Sequence, residues 1–128
     1  MGLPFSDNLP VLAATKATVA NTAATVFDVS KRQLKSIQFI ASTVSGDNGA
    51  FGLEVSNDGT NWVVYNRLIT NATGDNTKTD AYTAAPTLSS NTSSIHFFPT
   101  SDYFRYLRVF VTASASAGTY SAVVQCAG

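Results

Sequence analysis

Leu53-Glu54-Val55-Ser56-Asn57-Asp58-Gly59-Thr60-Asn61-Trp62 is the stretch on which the fold turns. Leu53 and Val55 alternate with Glu54 and Ser56, the period of two that gives a strand one buried and one solvated face. Asn57-Asp58-Gly59 then brings together residue types that reverse a chain cheaply, because Asn and Asp tolerate the left-handed region and Gly has no Cβ to clash there. An Asp-Gly pair beside an alternating run is a tight-hairpin signal, and it predicts Gly59 at positive φ. The return strand is expected over 62–65, with Trp62 capping the core.

The same logic extends outward in both directions. Upstream, Ala50 to Ser56 is read as one strand, with Phe51, Leu53 and Val55 on a single face. Ser45-Gly46-Asp47-Asn48-Gly49 is a turn, and before it Leu34 to Thr43 sets Ile37, Phe39 and Ala41 against Ser36, Gln38 and Ser42. Ala24 to Val29 is a further strand. Downstream, strands are expected over Ser94 to Phe98, Tyr103 to Ala113 and Thr119 to Cys126, parted by turns at 99–102 and 115–118. The polar stretch 70–94 is too long for a structureless loop in a compact domain, so a weak strand near Ala81 to Thr83, or a loop ordered by a neighbour, is expected. Helix signals are nearly absent. The sum, about seven or eight short strands with regular turns, predicts an all-β antiparallel sandwich or jelly roll. Residues 1–22 are expected as an extended N-terminal arm and 23–128 as the sandwich.

Composition narrows what such a domain does. At 128 residues the chain fits one domain. Acidic and basic residues balance at 8 each, and charged residues make up only 12% of the chain. That is about half the usual share of about 25%. Either Ser, Thr and Asn carry the surface, or partners cover it. One cysteine rules out an internal disulfide. Met1 to Pro10 lacks a basic leader region and is broken by Pro4 and Pro10, so no signal peptide is expected. No apolar run reaches the length of a membrane-spanning helix, so no membrane partner is expected. The absence of a basic cluster argues against nucleic acid. Catalysis needs convergent titratable groups. Here the single histidine, His96, sits in the apolar run Ile95-His96-Phe97-Phe98 and the carboxylates are scattered singly. Cys126 reads as a buried thiol, and Asp47-Asn48 and Asp75-Asn76 as turn residues rather than calcium ligands. No enzyme activity, cofactor or metal is expected.

The hairpin residues Ser56, Asp58, Gly59 and Trp62, with the later Arg105, Tyr106 and Arg108, resemble framework positions of discoidin-like β-sandwich domains. The resemblance covers about half the chain and implies a sandwich. With the terminal segment Gly118-Thr119-Tyr120-Ser121-Ala122-Val123-Val124, and a composition rich in Ser, Thr, Asn and Ala, the chain also looks like small virion proteins of tailed bacteriophages. That resemblance implies a structural role on the particle.

Two segments point to buried partners. In Tyr103 to Ala113, Leu107, Val109 and Val111 share one face and Phe104, Tyr106 and Phe110 the other, so both faces ask for cover, from another part of the chain or from a partner subunit. In the arm, Leu3, Phe5, Leu9, Val11 and Leu12 are apolar while Pro4 and Pro10 hold the chain extended, so it either docks on a neighbour or folds back onto its own sandwich. The five arm residues, with Phe104, Tyr106 and Phe110, are the candidate interface. The leading expectation is a capsid decoration (cement) protein, made in the host cytoplasm and placed on the virion surface. It would associate with itself as a homotrimer and with a major capsid or other virion protein. The alternative is a carbohydrate-binding, discoidin-like module on a phage tail or fibre. Trp62, Tyr65 and Tyr82 are its candidate glycan contacts, with Asn61 and Asn66 nearby.

Overall fold

A computed structural model describes residues 6–15, 17–30, 32–69, 82–114 and 118–127. The alternating runs become strands wherever the sequence alternates for more than a few residues. The strands, in chain order, are β1 Ser6–Thr15, β2 Val26–Asp28, β3 Leu34–Ser42, β4 Gly49–Ser56, β5 Val63–Val64 and β6 Leu68–Ile69. They continue with β7 Tyr82–Thr83, β8 Thr87–Leu88, β9 Thr92–Phe97, β10 Tyr106–Ala113 and β11 Thr119–Ala127. Among the described residues, the only helical piece is a 3-10 turn at Asn21–Ala23.

The strands form two antiparallel sheets, one six-stranded in the order β1-β11-β3-β9-β6-β7 and one five-stranded with the path β2-β10-β4-β5. β8 pairs with the start of β4. The inward faces meet in one core. β3 contributes Ile37, Phe39 and Ala41, and β11 contributes Tyr120, Ala122, Val124 and Cys126. From the other sheet come Phe51 and Leu53 of β4 and Leu107, Val109 and Val111 of β10. Each large apolar side chain among them, fully buried, contributes roughly 1.5–3 kcal/mol of transfer free energy. The β-sandwich expected from the alternation is therefore the fold.

The expected strand number is corrected from seven or eight to eleven. Among the described residues the extra strands are β1 and the two-residue pieces β6 and β8, while the expected strands at 62–65 and near 82 shrink to the two-residue β5 and β7. Two residues cannot display a period, so the sequence carries little signal for them.

The boundary after residue 22 is corrected too. Residues 6–15 are not a detached arm: β1 runs antiparallel to β11 from Ser6↔Ala127 to Thr15↔Tyr120. The register shifts on either side of Leu12. An edge strand tolerates proline where the missing N–H faces away from the ladder, so Pro10 does not bar the pairing. Val11 and Leu12 lie in the core at 2% and 7% exposure.

The Asp58-Gly59 reversal is also wider than a two-residue hairpin. Val55 pairs with Val63, so residues 56–62 form the connection. Its conformation is set by Asp58, whose Oδ1 accepts from the backbone N–H groups of Thr60 and Asn61, both at 2.8 Å. Ser56 Oγ donates to the same oxygen at 2.9 Å. Gly59 has φ +77° as expected.

One buried carboxylate ties the ends of three strands together. Asp47, in the turn before β4, is 1% exposed. It accepts from Ser114 Oγ at 2.7 Å, Tyr120 Oη at 2.8 Å and the Gly118 N–H at 3.0 Å. Burial, and then the Asp47 acceptor, push the Tyr120 hydroxyl up to about 12. The site is a satisfied structural knot, which accounts for a charge deep in the fold.

Candidate functional site

Three surface regions carry the residues that the sequence singles out. The first is the outer face of the five-stranded sheet. Strand alternation turns Tyr106, Arg108 and Phe110 of β10 outward beside Gly52 and Glu54 of β4. Arg108 lies over the Trp62 ring at 4.1 Å from its centroid and pairs with Glu54 at 2.7 Å. Only 12% and 11% of those two charged side chains is exposed, and Asn21 Nδ2 also donates to Glu54. Trp62 therefore covers an ion pair outside the sandwich, and does not cap the core. The Phe110 ring packs against Gly52, where a Cβ would collide with it. Tyr106 and Phe110 are half-buried against their own sheet. The second apolar face expected of this strand is thus largely covered from within the chain.

Phe104, expected on an interface, is buried. It lies just before β10 and is buried with Tyr65 and Phe98, at centroid distances of 5.6 and 5.7 Å. Lys35 Nζ sits 5.0 Å over the same Phe104 ring and donates to the Arg32 carbonyl. Burial lowers its pKa below the ordinary lysine value. Of the expected arm contacts, Val11 and Leu12 are core, and the backbone of Leu9 pairs with Val124. Leu3 and Phe5 lie outside the described residues.

The second region is the outer face of the six-stranded sheet. Its outward positions are read from register. Gln38 faces Ile95 and Val123, Ser36 faces Phe97, Phe97 faces Ile69, and Ile69 faces Tyr82. Tyr82 is 51% exposed, Ile95 50%, Leu34 46% and Phe97 45%. Ile40, Ile69 and Val123 are half-buried on the same face. The outward positions of β3, β6, β7, β9 and β11 within the described residues are all uncharged. Gln38 and Ser36 interrupt this face, but an uncharged, largely apolar surface with four large side chains about half exposed is the kind that marks an interaction site in soluble proteins. The signal lies in Ile95-His96-Phe97, where apolar residues flank the inward-facing His96. In sequence the run Ile95-His96-Phe97-Phe98 is apolar throughout but for the histidine, which does not say which side chains face out.

The third region is a cleft of about 590 Å³ between the Ser56–Asn61 loop, the chain around Tyr65 to Arg67 and the segment Ser101 to Phe104. Asp102 organises its floor. It accepts from Tyr65 Oη at 2.8 Å and from Arg67 Nε at 2.9 Å and Nη2 at 3.3 Å. The Arg67 bond first, and the Tyr65 bond with it, hold the Asp102 carboxyl below the usual carboxylate range. Burial, and then Asp102, raise the Tyr65 hydroxyl well above its ordinary value. Tyr82 stacks on the far side of Arg67, 4.4 Å from its guanidinium carbon. Asp58, on the opposite wall, is held far below the usual range by the N–H groups of Asn61 and Thr60. Tyr103 stands over the cleft at 73% exposure, the most exposed of the large apolar and aromatic residues described.

The structure does not bring the three expected glycan contacts together. Trp62 is on the outside of one sheet, Tyr82 on the outside of the other, and Tyr65 is buried behind the cleft floor. Asn61 does line the cleft. Tyr103, the aromatic that stands in the cleft, reads in sequence as the start of a strand, and only its place after Pro99-Thr100-Ser101-Asp102 hints at a loop.

No protein-family model matches this chain, and no curated protein sequence does. Its fold does match a solved structure, the crystal structure of the SPBc2 prophage-derived protein YomS. The TM-score is 0.60 over 100% of this chain and 97% of that one, at 10% sequence identity. At that identity the likeness is one of fold.

Proposed function

We propose that this chain is a non-enzymatic structural protein of a tailed-phage virion, and within that class a capsid decoration (cement) protein. The observation that carries the reading is the uncharged apolar face built by Leu34, Ile40, Ile69, Tyr82, Ile95, Phe97 and Val123. Apolar area removed from water is worth about 25 cal/mol per Å², so such a face gains from being covered. Its strand positions carry no charge, and Arg67, which stacks on Tyr82 at its border, is paired with Asp102, so the face suits a second copy of itself, and a homotrimer gives each copy a neighbour. The fold shared with a prophage-derived protein supports a phage setting. A low charge density over the whole chain fits a protein that works while packed among others.

The mechanism is linkage. A protein that binds the assembled lattice and not its free subunits stabilises the lattice by RT ln(1 + [L]/Kd), which is about 2.7 kcal/mol at a hundredfold excess over Kd. Many copies, each contributing a little, toughen a shell without any chemical step. The partner surface would belong to a major capsid protein.

The test is to band particles from cells expressing the gene on a density gradient and label them with antibody against this chain. The reading expects the chain in the particle band, regularly spaced over the head. A band of intact particles without the chain would overturn it, and label confined to the tail would move the protein to that organelle.

A further inference from the structure

We propose that the cleft beneath Tyr103 is a saccharide-binding site, with the Tyr103 ring as its stacking platform. The cleft adjoins the assembly face only where its Arg67 stacks on Tyr82 of the six-stranded sheet; Tyr103, Asn57, Asn61 and Ser101 are not part of that face.

What the cleft offers decides which ligand chemistry it takes. Its volume of about 590 Å³ lies within the range of small-ligand sites, about 300–1,000 Å³. Its two carboxylates are already engaged. Asp102 accepts from Tyr65 and twice from Arg67. Asp58 accepts from Ser56, Thr60 and twice from Asn61. Carboxylates so engaged are poorly placed to hold a cation, and they make the cleft hostile to an anion. Arg67, the cation among the cleft residues, is neutralised by the fork it makes with Asp102 and is pinned by Tyr82 above it. An anion would have to compete for it. A purely apolar ligand would strand the polar walls.

What the cleft presents outward is neutral and fixed. Asn57 is anchored because its Oδ1 accepts from the Arg105 N–H at 3.1 Å, which leaves its amide NH₂ to donate. Asn61 is anchored because its Nδ2 donates to Asp58 at 2.7 Å, which leaves its Oδ1 to accept. Ser101 adds a hydroxyl on the facing wall. One donor, one acceptor and one hydroxyl, held in place beside an exposed aromatic ring, match a sugar: hydroxyls around the edge and an apolar C–H face to lay on the ring. The polar groups are held by bonds already made, so little ordering entropy remains to be lost on binding. Tyr103 at 73% exposure is the cost of that readiness, an aromatic surface left in water.

The experiment uses the full chain. A microarray of bacterial and other oligosaccharides is probed first. The saccharide retained is then titrated into isotope-labelled protein by NMR, alongside inorganic phosphate and calcium chloride as separate probes. The expected result is retention of at least one oligosaccharide, with shifts at Asn57, Asn61 and Ser101. Tyr103→Ala should weaken binding at least tenfold, and Trp62→Ala should leave it unchanged. Because Tyr103 is so exposed, Tyr103→Ala should melt like wild type and keep its oligomeric mass, which separates loss of the site from loss of fold or assembly. Absence of any retained saccharide, equal binding by Tyr103→Ala, or shifts at those three residues with phosphate or calcium would each overturn the proposal.

Discussion

Arg108→Ala is expected to be among the most damaging substitutions at a residue that reaches the surface. Arg108 and Glu54 are 2.7 Å apart, and only 12% and 11% of their side chains is exposed. At an effective dielectric of about 20 the attraction at that separation is about 6 kcal/mol, most of it offset by the desolvation of both ions. Removing the arginine leaves the desolvation of Glu54 in place and takes away its principal partner. Asn21, donating at 3.3 Å to both carboxylate oxygens, is a weak substitute. The Trp62 ring loses the guanidinium it covers, which is worth roughly 0.5–2 kcal/mol more. Arg108→Ala should therefore destabilise by about 2–4 kcal/mol, less than the roughly 3–5 kcal/mol of a fully buried pair. For a chain of this length that is a drop of roughly 10 °C in melting temperature. The assay is a urea-melt double-mutant cycle with Glu54→Ala, in which the coupling should be about 1–3 kcal/mol. A buried pair is screened little, so adding salt to about 0.5 M should not abolish the coupling. Strict additivity of the two substitutions would refute the reasoning and make the pair an ordinary surface contact.

Three further outcomes follow from the same structure. Gly59→Val should cost more than about 1 kcal/mol in a denaturant melt, because φ is +77° there and a β-branched residue is strained at positive φ; an unchanged midpoint would contradict that conformation. Leu12→Ala should cost about 2–4 kcal/mol, since β1 belongs to the six-stranded sheet and Leu12 to its core; a chain starting at Thr15 that melts like wild type would show the strand to be dispensable. Asp102 carries a carboxyl whose pKa is lowered from 3.8 in the folded state, so its contribution is complete above that value and is lost as pH falls through the lower folded value. Asp102→Asn should therefore flatten the fall in stability below about pH 4 without abolishing it, because Asp28 and Asp58 are lowered as well; an acid limb identical to wild type would contradict the Arg67–Asp102 fork.

The chain is legible wherever alternation runs long enough to reveal a face. Ile37, Phe39 and Ala41 opposite Ser36, Gln38 and Ser42 give β3 its inward and outward sides, and the structure keeps them. The weak strand near residue 82 is present as β7. Cys126 is buried as a core thiol. The rest depends on pairing, which a local pattern does not encode. The segment from Met1 to Thr22 shows apolar residues and prolines without a period, and nothing within it says that β11 offers residues 6–15 an edge. Trp62 reads as core because tryptophan is large and apolar. Its partner Arg108 lies far along the chain, and only the pairing of β4 with β10 brings Glu54, Arg108 and the hairpin together. Phe97 and Ile95 look internal because Phe98 and His96, their neighbours in sequence, are internal. Tyr103 is drawn by its apolar neighbours into the strand that follows it, whereas β10 begins at Tyr106 and the chain before it bends to wall the cleft.

Sedimentation equilibrium of the purified chain tests the central claim most directly, run beside the double variant Ile95→Lys/Phe97→Lys. Both positions are about half exposed, so the variant should fold and melt near wild type. We expect a wild-type mass of three times 13.5 kDa at micromolar concentration, and 13.5 kDa for the variant, whose lysines would be buried against like charges in the assembly. A wild-type mass of 13.5 kDa, or an oligomer that the two lysines leave intact, would contradict the assignment of that face to assembly.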